Sequence, residues 1–203
     1  MKELILDGYE AAVVFVPFLM LYLLRRRNAA GGVPFACLLV FAVYLFGVFH
    51  VTSPGTLSDL LRHPPELRTD FINLLPFSDP DLNRVACRLN VLLFVPLGFL
   101  LPLCWPQYRK PGYTICFGFC FSLLIELSQL LNVRRTDVDD LILNTLGAVI
   151  GYGAFLLFRK LRKRPGRDAL PAALEPVWYT IFIFAFRFFT YHELYAAKWL
   201  YGF

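Results

Sequence analysis

Residues 113–131, YTICFGFCFSLLIELSQLL, and 141–158, LILNTLGAVIGYGAFLLF, are two apolar runs joined by the polar turn NVRRTDVDD at 132–140. Each run is close to the roughly 20 residues a helix needs to cross the hydrocarbon core of a membrane. A helix satisfies its own backbone hydrogen bonds there, so two such runs with a short connection read as an antiparallel transmembrane hairpin.

The remainder of the chain repeats the pattern. A first span ends at Leu24 and starts between Leu4 and Ala11, and a second runs from Val33 to about Val51. A third extends from Asn90 to about Trp105, interrupted by Pro96, Gly98 and Pro102. Val177–Tyr191 is a sixth apolar stretch with Arg187 in its midst, read as a tilted span rather than an interfacial helix. Between the second and third runs lies FINLLPF at 71–77, too short to span and too apolar for a free loop. It reads as a re-entrant or interfacial piece, whose backbone must be satisfied by protein or water. The fold class is therefore an all-α, polytopic transmembrane bundle of five to six spans. Residues 1–167 form the membrane domain, with its core at about 35–158, and 168–203 a C-terminal extension.

Composition agrees. Of 203 residues, 58% are hydrophobic and 17% charged, and the mean hydropathy is +0.57. A soluble domain carries about 45–50% apolar and about 25% charged residues, so a soluble enzyme or a disordered regulator is excluded. The net charge of +5 does not mark a nucleic-acid binder, because the basic residues gather at the ends of apolar runs. They stand at Arg25–Arg27, at Arg109–Lys110 and from Arg159 to Arg167. Such blocks orient a bundle, and the positive-inside rule puts this side in the cytoplasm. The long 50–89 connection and the 132–140 turn then face outward. The opening Lys2, Glu3, Asp7 and Glu10 do not form a basic leader, so the first run is kept as a span. The five cysteines include no C-x-x-C pair and read as packing residues.

The chemistry gathers in the hairpin. Glu126 stands alone in an apolar run, and a charge at depth costs at least ~2.5–3.5 kcal/mol unless it is paired, protonated or wet. Gln129 is on the same face, three residues on. Across the turn, Asp137, Asp140, Asn144, Gly147 and Gly151 form one stripe at helical spacing. With the turn centred near Arg135, Glu126 and Asn144 lie at one depth, and Gly147-x-x-x-Gly151 admits a close neighbour. The bland alternative is capping: Asp137 as N-cap and Asp140 three residues on, favoured by the helix dipole. Asn73 and Asn90 lie on the same side, Asn90 as cap of the third helix, with Arg84 and Arg88 placed to counter Glu126 or an anionic head group.

Taken together, NLLPF at 73–77, NVLLFVPLG at 90–98, ELSQ at 126–129 and RTDVDDLILNTLGAVIGY at 135–152 resemble the VanZ-like family of small polytopic bacterial membrane proteins. The resemblance covers about Phe35 to Phe158. It implies an envelope function, since the founding member confers low-level resistance to the glycopeptide teicoplanin. It carries no catalytic mechanism and no cofactor. Two readings follow. In the first, Glu126, Gln129, Arg135, Asp137, Asp140, Asn144, Asn73, Asn90 and Arg88 line an outward polar pocket that binds or shields a membrane lipid or lipid-linked cell-wall precursor. In the second, Asp137 and Asp140 hold a metal and Glu126 acts as base in an enzyme working on a polyprenyl or phospholipid phosphate. A scaffold for another membrane protein, or a homo-oligomer, is the blander third option.

Overall fold

The computed structural model describes residues 2–26, 33–62, 72–73, 75–78, 83–132, 136–162 and 174–192. The elements are α1 (Lys2–Arg26), α2 (Phe35–Thr52), α3 (Leu57–Arg62), β1 (Ile72–Asn73), α4 (Arg84–Cys104), α5 (Pro111–Gln129), β2 (Thr136–Asp137), α6 (Val138–Arg162) and α7 (Glu175–Thr190). A 3-10 turn over Pro106–Arg109 joins α4 to α5. Five segments are long and apolar enough to cross a membrane, borne by α1, by α2 with the residues up to Arg62, and by α4, α5 and α6. The protein is a multi-pass, all-α membrane bundle.

α4 and α6 extend beyond the apolar runs that announce them. α4 begins at Arg84, because Asn83 caps it by accepting the N–H groups of Val85 at 3.0 Å and Ala86 at 3.3 Å. Asn90, expected as that cap, lies nearly two turns inside the helix. Pro96 and Pro102 are accommodated without breaking it.

α4 and α6 run in the same direction in backbone contact. A Cβ on Gly98 would sit 2.0 Å from the Ala148 carbonyl oxygen, one on Gly147 2.2 Å from that of Val91, and one on Gly151 2.0 Å from that of Val95. No other residue fits at these three places. Inside a membrane, where lipid is as apolar as leucine, such close approach is what holds helices together.

α5 is antiparallel to α6 with a clear register. Glu126 meets the start of α6, Ser122 meets Asn144, and Gly118 faces Ala148. From Ser122–Asn144 to Gly118–Ala148 the partners move by four residues in opposite directions. Asn144 therefore lies one turn deeper than Glu126, where equal depth is expected from a turn centred at Arg135. The hairpin centre is nearer residue 133, since α5 ends at Gln129 and α6 begins at Val138.

Phe41, Leu45 and Phe49 of α2, Phe94, Leu97 and Leu101 of α4, and Phe121 and Ile125 of α5 form the buried centre. α7 spans 16 residues, roughly 24 Å at 1.5 Å per residue. It runs antiparallel to α1: Tyr9 donates to the Thr190 carbonyl and stacks on Tyr191, while Phe18 meets Tyr179. At the opposite end the indole N–H of Trp105 donates to Glu175 at 2.9 Å. α7 thus follows the bundle from the end bearing Arg25, Arg109 and Arg159 to the end bearing Asp137–Asp140, rather than lying across it.

Candidate functional site

At the acidic end, four separated parts of the chain meet at the first turn of α6. The α6 N-terminus leaves backbone N–H groups without helical partners. Asp137 supplies the first acceptor, its Oδ1 taking the Asp139 N–H at 3.0 Å. In a capping box, the side chain at the third helical position reaches back to the N–H of the cap. Asp140 holds that position but accepts instead from the amide of Asn90 on α4. The Asp137 N–H goes to Glu126 Oε2 of α5, at 3.3 Å. The box is closed between helices, and α5 provides the acceptor.

The 71–77 region enters as extended chain. β1 and β2 pair in parallel, Ile72 beside Thr136 and Asn73 beside Asp137. The Asn73 amide lies 3.3 Å from both oxygens of Asp137. Its Oδ1 accepts the Leu75 N–H at 3.2 Å and the Ser78 hydroxyl at 3.1 Å, which fixes the turn that follows. Asp139, 2% exposed, accepts the Phe77 N–H at 2.8 Å. Phe77 has φ 52, a left-handed conformation uncommon for a bulky residue, held here by that bond. The described residues of the segment expected as re-entrant or interfacial are thus a short strand and a turn, in which Asn73 takes the Leu75 N–H and Asp139 the Phe77 N–H. Its apolar side chains stay outside, Leu75 70% and Phe77 53% exposed.

Of the residues expected in one pocket, the structure joins Asn73, Asn90, Glu126, Asp137 and Asp140. Asn144 is buried one turn below, its amide donating to Ser122 Oγ at 2.9 Å. Gln129 turns away from the cluster and donates to the Thr52 carbonyl at the end of α2, at 2.8 Å. Arg88 is exposed on α4 and makes no hydrogen bond to the cluster among the described residues. Arg135 lies outside the described residues. Asp139, absent from the expected pocket lining, belongs in the cluster; its signal was its place in the first turn of α6 beside Asp140.

The assembled group is acidic. Glu126, Asp137, Asp139 and Asp140 are met by amides and by backbone N–H groups, and the positive end of the α6 dipole favours their charge. Among the described residues, no group of three or more His, Cys, Asp or Glu is arranged to hold a metal ion. The exposed side chains of Leu75 and Phe77 lie beside this group of carboxylates.

A second feature escaped the sequence reading. A cavity of about 360 Å³ opens at the same end of the bundle, lined among others by Glu10, His50, Asp59, Asn132 and Arg187. Arg187 was visible as a lone charge in an apolar run; the Pro54 carbonyl to which it donates lies too far away in sequence to be read from it.

The family described as VanZ/LLP1 matches residues 35–159 of the chain. The curated relative "Protein VanZ" from Enterococcus faecium is 32% identical over 92 residues, 44% of this chain and 55% of the relative. The chain thus spans about half the length of that relative. No solved structure matches.

Proposed function

This chain belongs to the VanZ/LLP1 family, and on that premise we propose that it binds or shields a lipid-linked cell-wall component at the outer face of a bacterial plasma membrane. Reduced access of teicoplanin-type glycopeptides is the outcome that follows. The observation that carries the reading is the adjacency of the Glu126–Asp137–Asp140 cluster to the exposed side chains of Leu75 and Phe77, fixed by the bond from the Phe77 N–H to Asp139. A lipid-linked precursor has the matching halves. Its sugar and peptide donors meet carboxylates, and its chain meets an apolar lip. The arginine blocks at Arg25, Arg109–Lys110 and Arg159–Arg162 support the outward orientation of this end.

The test is genetic. Glu126→Ala, Asp137→Ala and Asp140→Ala are expected to abolish the teicoplanin phenotype of an expressing strain while the protein remains inserted. Lipid profiles of the parent and deletion strains should differ in the lipid-linked precursors. Full resistance in all three variants would defeat this reading.

A further inference from the structure

The cavity beside the hairpin draws its described lining from α1, α2, α3, α7 and the chain just after α5, and includes no side chain of the Glu126 cluster. Its volume of about 360 Å³ stands at the lower end of the range of small-ligand pockets, about 300–1,000 Å³. Such a space suits a single headgroup.

Side chains of opposite hydrogen-bonding character share the wall. Ionised Glu10 and Asp59 accept, Arg62 and Arg187 donate, and Ser58 and Asn132 do both. An anion here would stand near two carboxylates, and an ammonium near two guanidinium groups. A hydroxyl carries no charge and both donates and accepts, so it can meet either kind of side chain. That holds whatever other contacts the two arginines make.

Each carboxylate is engaged through one oxygen. Glu10 Oε2 lies 2.8 Å from His50 Nδ1, and Asp59 Oδ2 accepts the N–H and the hydroxyl of Thr56, at 2.8 Å each. The second oxygens, Glu10 Oε1 and Asp59 Oδ1, accept from no described residue. Ser58 is 5% exposed, and its hydroxyl has no hydrogen-bond partner among the described residues. Burying a hydroxyl without a partner is costly, and native structures rarely do so. These three atoms on one wall call for three hydroxyl groups, which a sugar ring carries on adjacent carbons.

We propose that the cavity binds the uncharged sugar headgroup of a membrane glycolipid. Ring hydroxyls donate charge-assisted hydrogen bonds to Glu10 and Asp59, which fixes the orientation of the ring. The rim favours a lipid-borne sugar over a free one: Val51, beside His50 in sequence, is 58% exposed and Leu61, beside Arg62, is 74% exposed. Acyl chains lie against these side chains while the ring enters the cavity.

The experiment uses the full chain purified in a polyoxyethylene detergent, which carries no sugar. Native mass spectrometry measures binding of monoglucosyl diacylglycerol, diacylglycerol, phosphatidic acid and glucose to the parent, Ser58→Ala, Glu10→Gln and Asp59→Asn. The glycolipid should bind the parent about tenfold or more tightly than the two lipids without a sugar. Losing one hydrogen bond should weaken it by about threefold to tenfold in each variant. Ser58→Ala also separates binding from folding: removing an unpaired hydroxyl should leave the Tm at the parent value or above it, while glycolipid binding falls. It decides the matter if either carboxylate variant does not fold. Diacylglycerol or phosphatidic acid bound as well as the glycolipid, or glycolipid binding unchanged in the folded variants, overturns the proposal. Glucose bound as tightly as the glycolipid overturns the lipid source. Because Glu126→Ala leaves every described lining residue in place, it should bind glycolipid as the parent does, and a loss there would overturn the separation of this site from the one proposed above.

Discussion

The carboxylate of Glu126 accepts the backbone N–H of Asp137 at 3.3 Å, so a helix cap is completed by the helix before it. An isosteric amide keeps an acceptor oxygen there, whereas an aliphatic side chain leaves the N–H without this partner. Glu126→Leu should cost about 1–3 kcal/mol of stability, read as a lowered Tm in detergent. Glu126→Gln should melt near the parent. Equal stability of the leucine variant would remove the cap from the account.

Asn90 and Asp140 tie α4 to α6 beside that cap. Replacing Asn90 with aspartate sets two carboxylates against each other and should destabilise the bundle more than Asn90→Ala does. A double-mutant cycle over Asn90→Ala and Asp140→Ala should give a coupling of about 0.5–3 kcal/mol. Additive effects would show that the two side chains act independently.

The glycine seam makes a contrast within one helix. A methyl on Gly147 would meet the Val91 carbonyl at 2.2 Å, while one on Gly153 meets nothing within 4 Å. Gly147→Ala is expected to cost about 1–3 kcal/mol through overpacking, and Gly153→Ala to leave the Tm unchanged or slightly raised. Equal melting of the two variants would refute the close approach of α4 and α6.

Asn73 joins β1 to the head of α6 and also sets the following turn through Leu75 and Ser78. Asn73→Ala should therefore loosen residues 72–78 locally. Hydrogen exchange there should rise by a factor that reflects about 0.5–1.5 kcal/mol per lost bond, with the global melt little altered. Protection unchanged at Phe77 would contradict the arrangement.

Sidedness can be read directly. In a background lacking the five native cysteines, Asn132→Cys should react with an impermeant thiol reagent applied outside intact cells. Lys160→Cys should react only after permeabilisation. The reverse pattern would invert the bundle and remove the proposed function from the cell surface.

The spans and the membrane setting were legible because apolar length is a local property of the chain. The meeting of Glu126 with the Asp137–Asp140 turn was legible too, since a short hairpin leaves few alternatives. Register was not. The turn's charges, Arg134 to Asp140, lie toward its α6 side, so centring on them displaced Asn144 by one turn from its true partner, Ser122. Asn90 was misread as a cap because Asn83 has the same chemistry and the helix continues past the apolar run to reach it. Gln129 was assigned to Glu126 by its spacing, but the end of α2 offered the open carbonyl of Thr52. The cavity around Arg187 depended on Pro54, 133 positions earlier in the chain, and no periodicity reports such a contact.

The seam of Gly98, Gly147 and Gly151 has a mechanical consequence. Where two backbones touch with no side chain between them, no compliant layer exists to absorb a small slide. Displacement along the seam would have to proceed by a whole helical repeat, roughly 5.4 Å. α4 and α6 consequently behave as one stiff spine. The α1–α7 pair, by contrast, meets through rings, Tyr9 on Tyr191 and Phe18 on Tyr179, with side chains between the backbones.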